Sequence, residues 1–194
     1  MATRAYEQVA RAEATERTRR AILDAALSLF EQERYDLPLD LVAERAGVST
    51  RTLLRHFGSK DGMLEAAMAE GEARVSRSRA APPGDAVTTV RRLVDHYEEM
   101  GDGVLRRLAA AERHPSLSRV VERGTRVHLE LVEEAFAPDL DGLGTRERKR
   151  RAALLASVTD VYVWALLRRR HGLSRNETET AIRGLVDHAR GESR

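Results

Sequence analysis

The sequence contains no cysteine, and its most apolar stretch is short and interrupted by an acid. Without cysteine, the chain can form neither disulfides nor thiolate metal sites. The apolar stretch, residues 152–167, contains Asp160 and is shorter than the roughly 20 apolar residues that a transmembrane helix needs. The opening residues are polar and charged, unlike a signal peptide. We therefore expect a cytoplasmic protein with no membrane partner.

The residue patterns that usually carry catalysis are also missing. There is no glycine-rich phosphate loop after a strand, no strand-turn nucleophile and no His-x-x-x-His pair on a helix. The formal net charge of +2 is too small to indicate nucleic acid by itself. We expect a protein that is not an enzyme and that needs no cofactor and no metal.

What the sequence does contain is apolar residues at helical spacing along nearly its whole length. No run of alternating apolar and polar residues is long enough to predict a strand, and none of the five prolines lies in a convincing strand. This pattern predicts an all-α protein of about nine helices. The clearest predicted helices cover residues 16–32, 39–46, 50–57, 146–171 and a last helix opened by a capping box at Ser174 and Glu177.

Breaks in this pattern predict the domain organisation. Residues 1–15 are expected to form a flexible N-terminal arm, and residues 16–62 a three-helix domain. Residues 63–194 then form a larger helical domain. Within that domain, "RAAPPGD" at residues 79–85 ends one helix, and Asp85 can cap the next.

Two short predicted helices, residues 39–46 and 50–57, are joined by a tight turn. Gly47 can end the first helix in a left-handed conformation, and Ser49 can cap the second. Two short helices joined by such a turn form the helix-turn-helix signature, in which the second helix enters a DNA major groove.

The second helix of this motif carries side chains suited to DNA. Arg51 can form bidentate hydrogen bonds with guanine, and nearby hydroxyl and basic groups can bind bases or phosphates. From Arg45 to Lys60 the segment contains basic residues and no acid. Leu53 and Phe57, one turn apart, are expected to face the core. The predicted DNA contacts are Thr50, Arg51, Thr52, Leu54, Arg55, His56 and Lys60.

Residues 17–68 resemble the DNA-binding domain of the TetR/AcrR family of bacterial transcriptional regulators. The A-x-x-L-F run, the V-A-E-R-A-G-V-S turn and the H-F-x-S-K exit occur in order. The resemblance implies a repressor that binds a palindromic double-stranded DNA operator as a homodimer. It also implies that residues 16–62 are the DNA-binding domain and residues 63–194 the ligand-binding and dimerisation domain. The dimer would form through the eighth and ninth predicted helices. A small, largely apolar effector would bind in the second domain and release the DNA.

The chain departs from the family pattern at several positions. Leu54 stands where the family usually has a tyrosine whose hydroxyl meets a phosphate, so this position is expected to weaken DNA binding. Pro38 stands where helix 2 commonly starts with threonine, with Asp36 as a substitute cap. Asp40 stands at a position of the second helix that is often polar or basic in the family. Arg34 replaces the glycine of the turn after the first helix.

The resemblance places a ligand pocket in the second domain. Residues expected to line it are Tyr97, His128, Phe136, Asp160 and Trp164. For two of them a structural role is an open alternative. Asp160 can be a salt link or a cap, for instance to Arg91, Arg92 or Arg126, and His128 can be a hydrogen-bonded core residue.

Two other functions fit the sequence. The chain can be a DNA-binding regulator without a small ligand, which a small or filled cavity would favour. It can also be a helical dimeric binding protein whose DNA affinity is weakened, for which Leu54 and Asp40 are the supporting residues.

Overall fold

The computed structural model describes residues 2–32, 36–112 and 115–191, and all regular structure within them is helical. The chain divides into two compact units, Met1–Ala73 and Arg74–Arg194. The division falls inside a helix, beyond the boundary predicted at residues 62 and 63. Arg34 lies outside the described residues.

The N-terminal unit contains three helices and the first part of a fourth. They are α1 (Ala2–Glu31), α2 (Leu39–Arg45), α3 (Thr50–Phe57) and α4 (Lys60–Arg79). Residues 2–15, which were expected to be a flexible arm, are helical and form the first half of α1; their flexibility stays a prediction. The core of this unit is apolar, formed by Ile22, Leu23, Ala26, Leu29, Leu37, Val42, Leu53 and Met63.

The second unit contains the end of α4 and the remaining helices. They are α5 (Ala86–Ala111), α6 (Pro115–Ala135), α7 (Ala137–Leu140), α8 (Thr145–Val158), α9 (Val161–Ala165) and α10 (Arg175–Arg190). Helix α9 continues as a π-helical turn, Leu166–Arg170. The core includes Val90, Leu93, Tyr97, Phe136, Leu155, Trp164, Ile182 and Val186.

Local capping signals were predicted well in this unit. Asp85 caps α5 by accepting a hydrogen bond from the backbone N–H of Thr88 at 2.9 Å. Ser174 and Glu177 form the predicted capping box at the start of α10. Both results follow from contacts within a few residues of the helix start.

The predicted single helix over residues 146–171 is wrong. Helix α8 ends at Val158, and Asp160 caps a new helix by accepting from the backbone N–H of Tyr162 at 2.9 Å. The Asp160 carboxylate, which was predicted to lie inside a helix, instead accepts a backbone hydrogen bond at the start of α9. It therefore needs no ion-pair partner. The predicted loop at residues 138–144 is also partly wrong, because it begins within the short helix α7.

A partly buried hydrogen-bond network joins α5 to α9 and the π-helical turn that follows it. The Trp164 indole Nε1 donates to Glu98 Oε1 at 2.8 Å, and Arg168 Nε donates to the same oxygen at 2.6 Å. These donors, with Arg168 contributing most, lower the pKa of Glu98 to about 2. The carboxylate therefore stays ionised and fixes Trp164 against α5.

No helix among the described residues is long and apolar enough to cross a membrane. The same residues contain no group of three or more histidine, aspartate or glutamate side chains placed to hold a metal ion.

Candidate nucleic-acid interface and ligand pocket

The turn between α2 and α3 has the geometry that the sequence predicts. Gly47 adopts a φ of +68°, a conformation that favours glycine. Ser49 Oγ accepts from the backbone N–H of Thr52 at 3.1 Å and lies 3.0 Å from the Thr52 hydroxyl. The cap therefore fixes both the start of α3 and the position of one predicted DNA-binding hydroxyl.

Helix α3 has one buried face and one polar face. Leu53 is fully buried in the core of the N-terminal unit, and Phe57 is half-buried beside it. The Arg19 guanidinium lies 5.6 Å from the centre of the Phe57 ring. Leu53 and Phe57 face inward as expected, whereas the opposite side of α3 is exposed.

The structure brings six of the seven predicted DNA contacts together on α3. Arg51, Leu54 and Arg55 are exposed, whereas Thr50, Thr52 and His56 are half-buried. The Leu54 side chain is 37% exposed, so this apolar residue lies on the polar face. Whether these residues touch DNA stays a prediction.

The seventh predicted contact, Lys60, lies at the start of α4 and has an intramolecular partner. Its Nζ is 3.1 Å from Asp36 Oδ1, in a pair that leaves the carboxylate mostly exposed. Asp36 was expected to cap α2; instead Pro38 occupies the cap position without a side-chain hydrogen bond. Because the pair is exposed, it contributes little stability, and water or a phosphate can compete for the ammonium group.

The connection from α3 to α4 is tight. Ser59 Oγ accepts from the backbone N–H of Gly62 at 3.0 Å, which confirms the predicted cap of α4. A Cβ on Gly62 would lie 2.3 Å from the Phe57 carbonyl oxygen, so this position needs glycine. The tight turn keeps the start of α4 directly beside the end of α3.

In the second unit, three predicted pocket residues fill the core. Tyr97, Phe136 and Trp164 are all buried, and the Tyr97 and Trp164 rings lie 6.0 Å apart. The Tyr97 hydroxyl donates to the carbonyl of Thr159 at 3.1 Å. These three rings, which were predicted to line a ligand pocket, pack in the core of the second unit.

The other two predicted pocket residues have structural partners. His128 Nε2 is 3.1 Å from the carbonyl oxygen of Ala156, as the core-histidine alternative expected. Asp160 is the cap of α9 described above. Burial is the main cause that lowers the pKa of His128 below its usual value.

A cleft of about 40 Å³ lies near the end of α4, and His128 is the only predicted pocket residue among those lining it. Its apolar wall includes Leu93, Leu131 and Val132, and its polar lining includes Arg79, Thr89 and Glu134. Sequence reasoning missed Arg79, because the residue looks like one more arginine at a polar helix end. Only the three-dimensional structure reveals that its Nε atom is buried.

Comparison with known proteins identifies the N-terminal segment. Residues 22–67 match the sequence model of the family described as bacterial regulatory proteins, tetR family. The N-terminal segment is therefore similar to that family. The matched residues include the turn at Gly47, the whole of α3 and the start of α4.

Two proteins similar to this chain are described as a transcriptional regulator and a transcriptional repressor. It is 35% identical over 83 residues to the HTH-type transcriptional regulator BetI of Escherichia coli (strain UMN026), covering 40% of the chain and 43% of BetI. It is 40% identical over 67 residues to the HTH-type transcriptional repressor KstR of Rhodococcus jostii, covering 34% of the chain and 32% of KstR. The chain thus spans less than half the length of either relative.

Two solved structures share the fold over most of this chain. A Rhodococcus sp. protein assigned to the TetR family superposes with a TM-score of 0.62 at 20% identity, covering 90% of this chain and 98% of its own. A Mesorhizobium loti protein with the same assignment gives a TM-score of 0.57 at 19% identity, with 92% and 97% covered. At these identities the likeness establishes the fold alone.

Proposed function

We propose that this chain is a homodimeric transcriptional regulator, acting as a repressor, that binds a palindromic DNA operator. Each subunit inserts α3 into a major groove, and the two half-sites lie about one helical turn apart. A small-molecule effector that binds the second unit favours a conformation with lower DNA affinity. The proposal has no catalytic step, which agrees with relatives described as transcription factors.

The observation that carries the proposal is the division of α3 into two faces. Leu53 anchors one face in the core, and the opposite face exposes Arg51 and Arg55. No acid occurs between Arg45 and Lys60, so the field along this face is positive although the whole chain is close to neutral. Bidentate arginine contacts to guanine and further contacts to phosphate are the chemistry that such a face supports.

Exposed apolar side chains support the homodimer. Leu154 on α8, Tyr162 on α9 and Leu185 on α10 are all exposed, and Leu166 follows in the π-helical turn. These residues lie in the two last helices predicted from sequence. We infer that a second copy covers them, since a stable homodimer needs an apolar centre to its interface.

The filled core of the second unit bears on the effector. Because Tyr97, Phe136 and Trp164 pack against their neighbours, a large apolar effector has no preformed chamber there. The cleft beside Arg79, of about 40 Å³, accepts only a small group, whereas a second cavity of about 240 Å³ is lined by residues of α5 and α10. The filled aromatic core supports the alternative of a DNA-binding regulator without a small ligand.

A selection experiment tests the proposal. The purified chain is incubated with a pool of random double-stranded DNA, and bound DNA is recovered and sequenced over several rounds. We expect enrichment of an inverted repeat. Arg51→Ala should lose the preference for guanine at one position of each half-site, whereas Arg92→Ala on α5 should select the same repeat as the wild type. Enrichment of no common sequence would refute the proposal.

A further inference from the structure

The cleft at the end of α4 contains two polar atoms that are buried without a protein partner. They are the Nε atom of Arg79 and the Nδ1 atom of His128. Both residues line the same cleft. Because unpaired buried polar atoms are rare and costly, two of them in one cleft indicate a ligand that pairs with both.

The first of these atoms is a charged donor. The Arg79 guanidinium lies 5.0 Å over the centre of the Tyr97 ring and shares a side-chain hydrogen bond with it. Among the ion pairs described for the second unit, none includes Arg79. Desolvation lowers the pKa of Arg79, yet a guanidinium remains protonated in proteins. Its unpaired N–H therefore favours an anion.

The second of these atoms is an acceptor. His128 Nε2 lies 3.1 Å from a carbonyl oxygen, which can only accept, so Nε2 carries the hydrogen. Burial lowers the pKa of His128, and the ring is neutral near pH 7. In a neutral ring with its hydrogen on Nε2, Nδ1 has a free lone pair. This atom therefore favours a ligand that donates a hydrogen bond.

The remaining lining limits the size and charge of the ligand. Leu93 and Val132 are buried and apolar, and Thr89 already donates its hydroxyl to the carbonyl of Asp85 at 2.8 Å. The exposed carboxylate of Glu134 adds negative charge, which disfavours a ligand with several negative charges. A small monoanion with a short apolar part fits this lining.

We propose that the cleft binds a small hydroxycarboxylate, whose carboxylate accepts from Arg79 Nε and whose hydroxyl donates to His128 Nδ1. The inference rests on the proposed function, because it names the chemical class of the effector. Arg79 is the last residue of α4, and Lys60, a predicted phosphate contact, is the first. A ligand held by Arg79 is thus bound to the helix that begins at the DNA-binding segment.

Calorimetric titration of the full chain with matched pairs of acids tests the inference. Lactate is compared with propionate, and 3-hydroxybutyrate with butyrate, at constant ionic strength. We expect at least one hydroxy acid to bind about tenfold more tightly than its partner, since each partner leaves Nδ1 unpaired. This comparison uses the wild-type protein and does not depend on the folding of any variant.

Variants then assign the two contacts. Arg79→Met should weaken binding of the hydroxy acid at least tenfold, whereas Arg77→Met, an exposed arginine on the same helix, should leave it unchanged. His128→Phe should remove the preference for the hydroxyl group and leave binding of the simple acid. Circular dichroism checks that each variant is folded.

Three results would overturn the inference. They are no binding of either hydroxy acid, equal affinity for the members of both pairs, or full affinity in a folded Arg79→Met variant. Binding of the same preparation to its selected DNA separates this inference from the proposed function. A chain that binds DNA but neither hydroxy acid refutes the effector class alone, and a chain that binds lactate but no DNA refutes the regulator.

Discussion

Two consecutive leucines on α3 have opposite environments. Leu53 is fully buried in the core of the N-terminal unit, whereas Leu54 is 37% exposed on the face that we assign to DNA. Helical geometry requires this difference, because adjacent residues point about 100° apart. Leu53 is needed for folding, and Leu54 is open to substitution without loss of the core.

Substitution of Leu54 by tyrosine should strengthen DNA binding. In the proposed complex, the added hydroxyl donates to a phosphate, and one such hydrogen bond is expected to contribute about 1 kcal/mol, or about fivefold in affinity. Leu129→Tyr on α6 is the matched control, since that leucine is 39% exposed in the other unit. Equal DNA affinity of Leu54→Tyr and wild type, measured by anisotropy, would show that this position does not limit binding.

A buried histidine on α5 should make stability depend on pH. Desolvation, together with nearby Arg79 and Arg107, lowers the pKa of His96 from 6.5 to about 3. Between pH 6.5 and about 3, the His96 side chain is protonated in the unfolded chain and neutral in the folded chain. The free energy of unfolding therefore decreases as the pH falls through this range. Between pH 6.5 and 5, protonation of His96 in the unfolded chain should lower the free energy of unfolding by about 2 kcal/mol.

Urea denaturation at several pH values checks this prediction. His96→Gln should flatten the dependence of the free energy of unfolding on pH in this range. His171→Gln, which replaces an exposed histidine, should keep the slope of the wild type. A His96→Gln variant with the full wild-type slope would rule out His96 as its source.

At the scale of helices, close packing between α5 and α9 depends on a missing side chain. A Cβ on Gly101 would lie 2.5 Å from Cζ3 of the Trp164 ring, which is held in place by its hydrogen bond to Glu98. The indole cannot move aside without losing that bond. Gly101 therefore sets how closely the two helices approach.

Gly101→Ala should destabilise the chain although alanine favours helix. The overlap with Trp164 costs about 1–3 kcal/mol, which exceeds the gain in helix propensity of up to about 1 kcal/mol. Gly124→Ala on α6 is the control: a Cβ there meets nothing within 4 Å, and the variant should be more stable than wild type. Thermal unfolding measures both, and a stabilised Gly101→Ala variant would contradict the packing argument.

Helix ends differ in how well they could be predicted from the sequence. Gly47, Ser49 and the Ser174–Glu177 box were predicted because each acts on backbone groups within a few residues. The break between α8 and α9 was missed, because Asp160 reads equally well as a buried acid inside a helix or as a cap at its start. Periodicity cannot separate these two cases when apolar residues continue on both sides.

Contacts between residues far apart in sequence could not be predicted from the sequence. Lys60 pairs with Asp36 across the turn region, and Trp164 pairs with Glu98 on another helix. The sequence also gave no sign that the aromatic residues assigned to a pocket would fill the core. The orphaned atoms of Arg79 and His128 depend on three helices packing together, and no local pattern encodes them.

At the scale of the whole molecule, the proposed homodimer would present two copies of α3 to an operator. Two identical half-sites on DNA require two copies of the chain related by twofold symmetry. The exposed apolar residues of α8, α9 and α10 are the surface that we assign to this contact. Charged substitutions there should separate the subunits without unfolding them.

The double variant Leu154→Glu, Leu185→Glu should be monomeric by sedimentation equilibrium at concentrations where wild type is a dimer. Its DNA affinity should fall at least about 100-fold, because the second half-site no longer adds to binding. Leu129→Glu, an exposed leucine on α6, should stay dimeric. A double variant with the wild-type mass would exclude this surface as the interface.

The most direct test of the central claim is sequence-specific DNA binding by the wild-type chain. Fluorescence anisotropy compares the DNA upstream of the chain's own gene with a shuffled duplex of the same composition, over a range of salt concentrations. We predict binding to the upstream DNA at least about a thousandfold tighter, and a preference that persists as salt weakens both. Equal affinity for the two duplexes at every salt concentration would contradict the claim.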